Sequence, residues 1–173
     1  MNKTLVPLIA FLVVSCSSGP SIQEYFVSKS EDASFLIIDI PTSIFGLDKS
    51  ALTLEEQEIF ASFKKLNLLI FKKTDSDAAR MEGELTAIRS IIDGKNFESL
   101  MVFSEKSYSG KLVMQGDEER PNEIVLFASS DEGFLVTRLL GKKMQVDKAL
   151  LLADIIQREK GVDQLELMFS EIF

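Results

Sequence analysis

Between residues 98 and 140 four β-rich runs follow one another almost without a gap: ESLMVFSE (98–105), YSGKLVMQ (108–115), NEIVLFAS (122–129) and GFLVTRLL (133–140). The segments between them are Lys106-Ser107, Gly116-Asp117-Glu118-Glu119-Arg120-Pro121 and Ser130-Asp131-Glu132. A parallel crossover needs a dozen or more residues, so connections this short can join only antiparallel neighbours. The spacing predicts a four-stranded antiparallel meander that ends at Gly141. No other feature narrows the fold as far.

The residues before the meander alternate between helical and strand patterns. Ser21-Ile22-Gln23-Glu24 has the form of a capping box, with Ile22, Tyr25, Phe26 and Lys29 on the helix it opens. SFLIIDIP (34–41) is a compact apolar run stopped by Pro41, the pattern of a buried strand. After a loop over 42–52, Thr53-Leu54-Glu55-Glu56 opens a helix expected to run to residue 65, with Ile59, Phe60, Phe63 and Leu66 on its stripe. LNLLIFKK (66–73) reads as the next strand. Asp75-Ser76-Asp77 then caps a helix over 77–93 that carries Met81, Leu85, Ile88, Ile91 and Ile92. A last amphipathic helix carries Val146, Ala149, Leu150, Ala153 and Ile156. The sum is an α+β fold: a mixed sheet with a C-terminal four-stranded antiparallel meander and helices packed on one face. Phe60, Phe63, Leu85 and Ile88 are expected in the core.

The N-terminus gives an address. Lys3 precedes an apolar stretch from Leu5 to Val14 that is too short to span a bilayer. It ends in Val13-Val14-Ser15-Cys16, followed at once by the polar Ser17-Ser18-Gly19-Pro20-Ser21. Cys16 is the only cysteine, and its surroundings resemble the lipobox of bacterial lipoproteins. In that family the thiol receives diacylglycerol, the chain is cut before the cysteine, and the new amino group is acylated. Two or three acyl chains anchor stably where one gives only marginal binding. Ser17 stands where aspartate would retain the protein at the inner membrane, and no acidic run follows Cys16. The resemblance implies an outer-membrane anchor with the domain on the periplasmic face. The expected organisation is a leader over 1–15, lipidated Cys16 and tether over 16–21, one α+β domain over 22–160, and a C-terminal amphipathic segment over 161–173.

With Cys16 lipidated, no disulfide remains to staple the domain, so it must carry its own hydrophobic core. Composition allows this: 46% of the chain is hydrophobic and 27% charged, which is globular rather than disordered. Thirteen Phe and no Trp point to a Phe-rich core. A net charge of −8 makes the domain a poor nucleic-acid binder, because phosphate contacts need clustered Lys and Arg. Anionic headgroups would repel it too, so the lipid must hold it at the membrane.

The order of elements from Ile22 to Ile156 resembles the domain-of-unknown-function 4252 lipoproteins of Bacteroidota. The resemblance rests on the leader, on the strand-helix units around LNLLIFKK, and on GFLVTRLLGKKMQVDKALLLADII, an apolar strand, a glycine and a short polar turn into a helix. It implies a small periplasmic or outer-membrane lipoprotein of unknown biochemical role. Genes of that family tend to lie near extracytoplasmic sigma factors, which points towards envelope signalling.

Catalytic options are few. With no histidine in the chain, Ser-His-Asp and Cys-His catalysis are excluded. Ser62-Phe63-Lys64-Lys65 has the S-x-x-K spacing of penicillin-recognising enzymes, but their S-D-N and K-T-G partners are missing. The same lysines would complement a helix C-terminus. Asp75-Ser76-Asp77 would begin a calcium loop only with glycine and glutamate where Arg80 and Thr86 stand, so helix capping accounts for the aspartates. Asp117-Glu118-Glu119 and Asp131-Glu132 fall at opposite ends of a meander and read as solvated turns. Lys111 and Arg138 lie within strands, where charge discourages edge-to-edge pairing. No catalytic, metal or cofactor residue is assigned.

The expected function is a non-catalytic interaction module, lipid-anchored, with an unidentified envelope protein as partner. The competing expectation is a hydrolase using carboxylates, or Ser and Lys, brought together from distant parts of the chain. A deep pocket joining such groups would favour the enzyme, and a flat or grooved apolar face would favour binding. Beyond Gly161, Leu165, Met168, Phe169, Ile172 and Phe173 fall at i, i+3, i+4, i+7 and i+8, one helical apolar stripe. This stripe would either fold back over a bare patch of the domain or dock in a partner's groove.

Overall fold

A computed structural model describes residues 20–74, 77–117 and 119–158. Ten elements follow in order: α1 (Ile22–Lys29), β1 (Phe35–Pro41), α2 (Leu54–Ser62), β2 (Phe63–Lys72), α3 (Ala78–Ile92), β3 (Glu98–Ser104), β4 (Tyr108–Asp117), β5 (Arg120–Ser130), β6 (Gly133–Gly141) and α4 (Val146–Arg158). Two short 3-10 turns, Thr42–Phe45 and Lys49–Ala51, lie between β1 and α2. The α+β class and the meander β3–β4–β5–β6 are as the sequence predicts.

The six strands form one open sheet in the order β1-β2-β6-β5-β4-β3. Every pairing is antiparallel, so the sheet is not mixed. The reason is local: β1 ends and β2 begins at the same end of the sheet, with Pro41 opposite Lys65. Helix α2 therefore has no length of sheet to cross. The helix expected over 53–65 stops at Ser62, and Phe63 turns to extended geometry (φ −90°, ψ 137°) and starts β2 directly. A central strand gains a hydrogen-bonded neighbour on each side, which outweighs another turn of helix. A bulge between Phe63 and Lys65 reverses the alternation, so Phe63 points to one face and Asn67, Leu69 and Phe71 to the other.

Helices lie on both faces rather than one. Helix α3 returns the chain from the end of β2 to the start of β3. With α1 it covers the first face, in a cluster that includes Tyr25, Phe26, Ile88, Ile92, Leu69, Val113, Val125 and Val136. Phe35, Phe71 and Phe134 form an aromatic group there, with ring centroids 5.1 to 6.2 Å apart. Tyr25 Oη and Lys29 Nζ both donate to the Glu84 carboxylate, at 2.9 and 2.6 Å, which ties α1 to α3. Helices α2 and α4 lie against one end of the second face. Ile59, Phe63, Met144, Leu152 and Ile155 cluster there with Met114 and Ile124. Of the four expected core residues, Phe63 and Ile88 are buried, whereas Phe60 and Leu85 are half-buried. In α4 deep burial falls on Leu152 and Ile155, residues outside the predicted stripe.

Two of the three predicted helix starts carry a side-chain cap, and the aspartate cap expected on α3 does not form. Ser21 and Glu24 make a complete capping box on α1, as Thr53 and Glu56 do on α2. The backbone N–H of Ser21 holds the Glu24 carboxyl below the usual carboxylate range, and that of Thr53 does the same for Glu56. A carboxylate whose folded pKa is depressed stabilises the fold above its unfolded value, and this stability is lost as pH falls through the folded pKa. The melting temperature is thus expected to decline as pH drops below about 4.5. Glu24→Gln with Glu56→Gln should flatten that decline; an unchanged acid limb measured by circular dichroism would contradict it.

Candidate functional site

The sequence-level candidates do not converge. Cys16 and the stripe Leu165, Met168, Phe169, Ile172 and Phe173 lie outside the described residues, as do Asp75, Ser76 and Glu118. Ser62 and Lys65 do not share a helical turn, because the helix ends between them. The Ser62 hydroxyl donates to the Ile59 carbonyl at 2.7 Å, and Lys65 Nζ reaches Asp39 Oδ2 at 3.4 Å. Asp77 takes the N-cap position of α3 without capping it. Its carboxylate accepts instead from the Thr74 backbone N–H, at 3.2 Å, and from the Thr74 hydroxyl. Asp117 and Ser130 mark opposite ends of β5, since Asp117 pairs with Arg120 and Ser130 with Gly133. Among the described residues no group of three or more Asp, Glu, Cys or His side chains gathers as a metal site.

Lys111 and Arg138 correct the expectation of edge-guarding charges, because both sit on interior strands. Lys111 Nζ donates to Asp93 Oδ1 at 2.6 Å. Arg138 is 5% exposed, donates from Nε to the Glu123 carboxylate, itself 7% exposed, and lies 5.1 Å from the Phe26 ring centroid. Their alternation was the available signal: Arg138 shares a face with Phe134 and Val136, and Glu123 with Val125 and Phe127. The pair is an internal support beneath α1, closed to substrate.

The second sheet face offers the largest feature. Strand pairing sets its side chains in rows that run across all six strands. The lowest row, Ile40-Leu66-Leu139-Ile124-Met114-Glu98, meets the cluster under α2 and α4. The next row reads Ile38-Leu68-Thr137-Leu126-Leu112-Met101, and the one beyond it Leu36-Ile70-Leu135-Ala128-Gly110-Phe103. Thr137 is the single polar member of those two rows. All of them except Gly110 are half-buried or exposed, although four of the strands are interior. On the first face the same level of the central strands β2 and β6 is buried: Leu69, Val136, Phe71 and Phe134 are each at most 3% exposed. At the far end Ile70, Tyr108, Ala128 and Leu135 line a shallow depression.

An antiparallel sheet can leave one face to water, but that face is then polar in alternation. Here the alternation fails: "FLII" in β1 and "LLIF" in β2 are apolar on both sides. Contiguous apolar surface of this kind marks an interaction site on a monomer. Geometrically, this is a place for shape-matched apolar contact, with Thr137 as the one polar contact in its middle. The sequence carried the signal as continuous apolar runs, read only as buried strands.

Fold and surface together define a small α+β domain built on an open antiparallel sheet, one face roofed by helices and the other half bare. A family model described as a domain of unknown function, DUF4252, matches residues 25–150, from within α1 to within α4. The chain belongs to that family. No curated protein and no solved structure gives a significant match to it.

Proposed function

We propose that the protein is a non-catalytic interaction module of the bacterial envelope, held at the outer membrane by lipid on Cys16. The observation that carries the binding role is the apolar half-face of the sheet. Two rows there, apolar apart from Thr137, stay half-buried or exposed at every position but Gly110. The leader and the Val13-Val14-Ser15-Cys16 motif support the anchor. A short tether also sets an orientation. Residues 17–21 span at most about 18 Å when extended, and they enter α1 at its N-cap Ser21. Helix α1 lies over the first face, so the open face is on the far side of the sheet from the tether. It is turned from the anchoring bilayer towards the periplasm, which suits a protein partner in envelope signalling.

Crosslinking in intact envelopes tests this reading. Wild-type chain should carry an acyl mass on Cys16 and capture a discrete crosslinked species. Leu68→Glu with Leu126→Glu should abolish the capture, while Glu82→Lys on α3, on the roofed side, should retain it. A soluble wild type without acyl mass would overturn the anchor. Capture unaffected by the two glutamates would overturn the surface.

A further inference from the structure

We propose that the free edge of β3 takes up an extended segment of a partner protein as a further strand. That segment has apolar residues in its middle and Lys or Arg towards each end. The inference deepens the reading of the open face, whose two rows end on Met101 and Phe103, and rests on it. β3 is the last strand of the sheet and pairs on one side only, with β4. From Ser99 to Ser104 it has neither charge nor proline, the usual guards of an edge. Its bulge between Ser99 and Met101 leaves the register from Met101 to Ser104 unshifted. Met101 is 51% and Val102 70% exposed. The opposite edge is guarded, because β1 presents Asp39 and Pro41 to solvent.

The main chain is set for such pairing. The Glu105 N–H donates to the Tyr108 carbonyl at 2.8 Å, which places those two residues opposite one another. Antiparallel alternation then turns the N–H and C=O of Met101 and Phe103 towards β4, and those of Val102 and Ser104 away from it. Side chains give the specificity. Glu98 lies opposite Met114, Met101 opposite Leu112 and Phe103 opposite Gly110, so Glu98, Met101, Phe103 and Glu105 share the open face. Counted along β4, the two glutamates stand equally far from Val102, outside the two apolar side chains. Both are exposed, and neither forms an ion pair among the described residues. Lys106 follows in the turn, and Lys111, on the other face, is held by Asp93. The edge thus reads acid, apolar, apolar, acid.

Charge also decides among occupants, because opposite charges facing one another across strands stabilise a sheet and like charges destabilise it. A second copy pairing about Val102 would set Glu98 against Glu105 at both ends. A shift of two residues in either direction sets Glu105 against Met101, or Glu98 against Phe103. Self-pairing is therefore disfavoured in each register. A strand with a cation at each end and two apolar residues between satisfies every position. Its apolar side chains would extend both open rows by one strand, and its cations suit a chain of net charge −8.

Fluorescence anisotropy of labelled peptides tests this on the full-length chain in neutral detergent. The probe is Thr-Lys-Thr-Val-Thr-Val-Thr-Lys-Thr, and its counterpart has Glu in place of both Lys. At low salt the Lys peptide should bind at least about tenfold more tightly. Glu98→Lys with Glu105→Lys should reverse that preference, and Glu82→Lys on α3 should leave it as it is. Val102→Pro removes an outward N–H without touching the β3–β4 ladder. It should weaken binding at least about tenfold while the circular dichroism is kept. Equal binding of the two peptides, or no binding by either up to about a millimolar, would overturn the proposal. An unreversed preference in the charge variant, or full binding by Val102→Pro, would do so too. A wild-type dimer, seen by sedimentation and abolished by Val102→Pro, would assign the edge to a second copy and overturn it as well. If the peptide fails while envelope capture still depends on Leu68 and Leu126, the edge alone is lost and the reading of the open face stands.

Discussion

Arg138→Ala is expected to destabilise the domain by about 3–5 kcal/mol, the usual result of breaking a buried ion pair from one side. The side chain sits on β6 in the middle of the sheet, 5% exposed, and its Nε donates to Glu123 on β5, 7% exposed. Removing the guanidinium leaves the carboxylate beneath α1 with no cation to face it. It also removes the cation–π contact to Phe26, worth about 0.5–2 kcal/mol in its own right. Glu123→Gln should cost less than Arg138→Ala, since the amide oxygen can still accept from an arginine. Arg138→Met with Glu123→Leu should recover most of the loss, because apolar groups of similar volume replace the pair without an orphaned charge. Urea denaturation of the four chains measures this. A loss below about 1 kcal/mol for Arg138→Ala would place the pair in water, where such bridges contribute little.

That pair shows where the sequence was legible and where it was not. The meander could be read because turn length is a local property: Lys106-Ser107 cannot support a crossover whatever surrounds it. The capping box at Ser21 and the helix start at Thr53 could be read for the same reason. The fate of Phe63 could not. Ile59, Phe60, Phe63 and Leu66 satisfy the helical period, and the competitor is a pairing with Gly141 across a long loop. Gly141 has no side chain to obstruct it there; a Cβ would come within 2.2 Å of the Ser62 carbonyl oxygen. Nothing local to residues 59–66 reports that contact. Helix placement failed likewise, since the face that α2 occupies follows from β1 and β2 sharing an end. Arg138 was misread because it was taken singly and Glu123 was passed over; their common alternation with buried Phe and Val was in the sequence. The open face was visible only in part. Apolar residues on both sides of β1 and β2 predict burial on both sides, and the described elements supply most of it on one.

Phe63→Ala should be the most costly truncation on the second face, at about 3–5 kcal/mol. Its ring is 1% exposed and clusters with Ile59, Met114, Ile124, Met144 and Leu152. The bulge after it aims the ring under α2 and α4, so alanine opens a cavity where the two helices meet the sheet. Phe60→Ala, one turn earlier in α2 and only half-buried, should cost clearly less. If the two losses are equal, or if Phe63→Ala costs less than about 1 kcal/mol, the junction of α2 and β2 is placed wrongly. Arg138 belongs to the opposite face, and residues with no shared partner combine within about 0.5 kcal/mol. Arg138→Ala with Phe63→Ala should therefore lose close to the sum of the two. That sum is about 6–10 kcal/mol, against a total of about 5–15 for an ordinary domain. The double variant is expected to be largely unfolded at 37 °C, whereas each single variant keeps the far-ultraviolet dichroism of the native sheet.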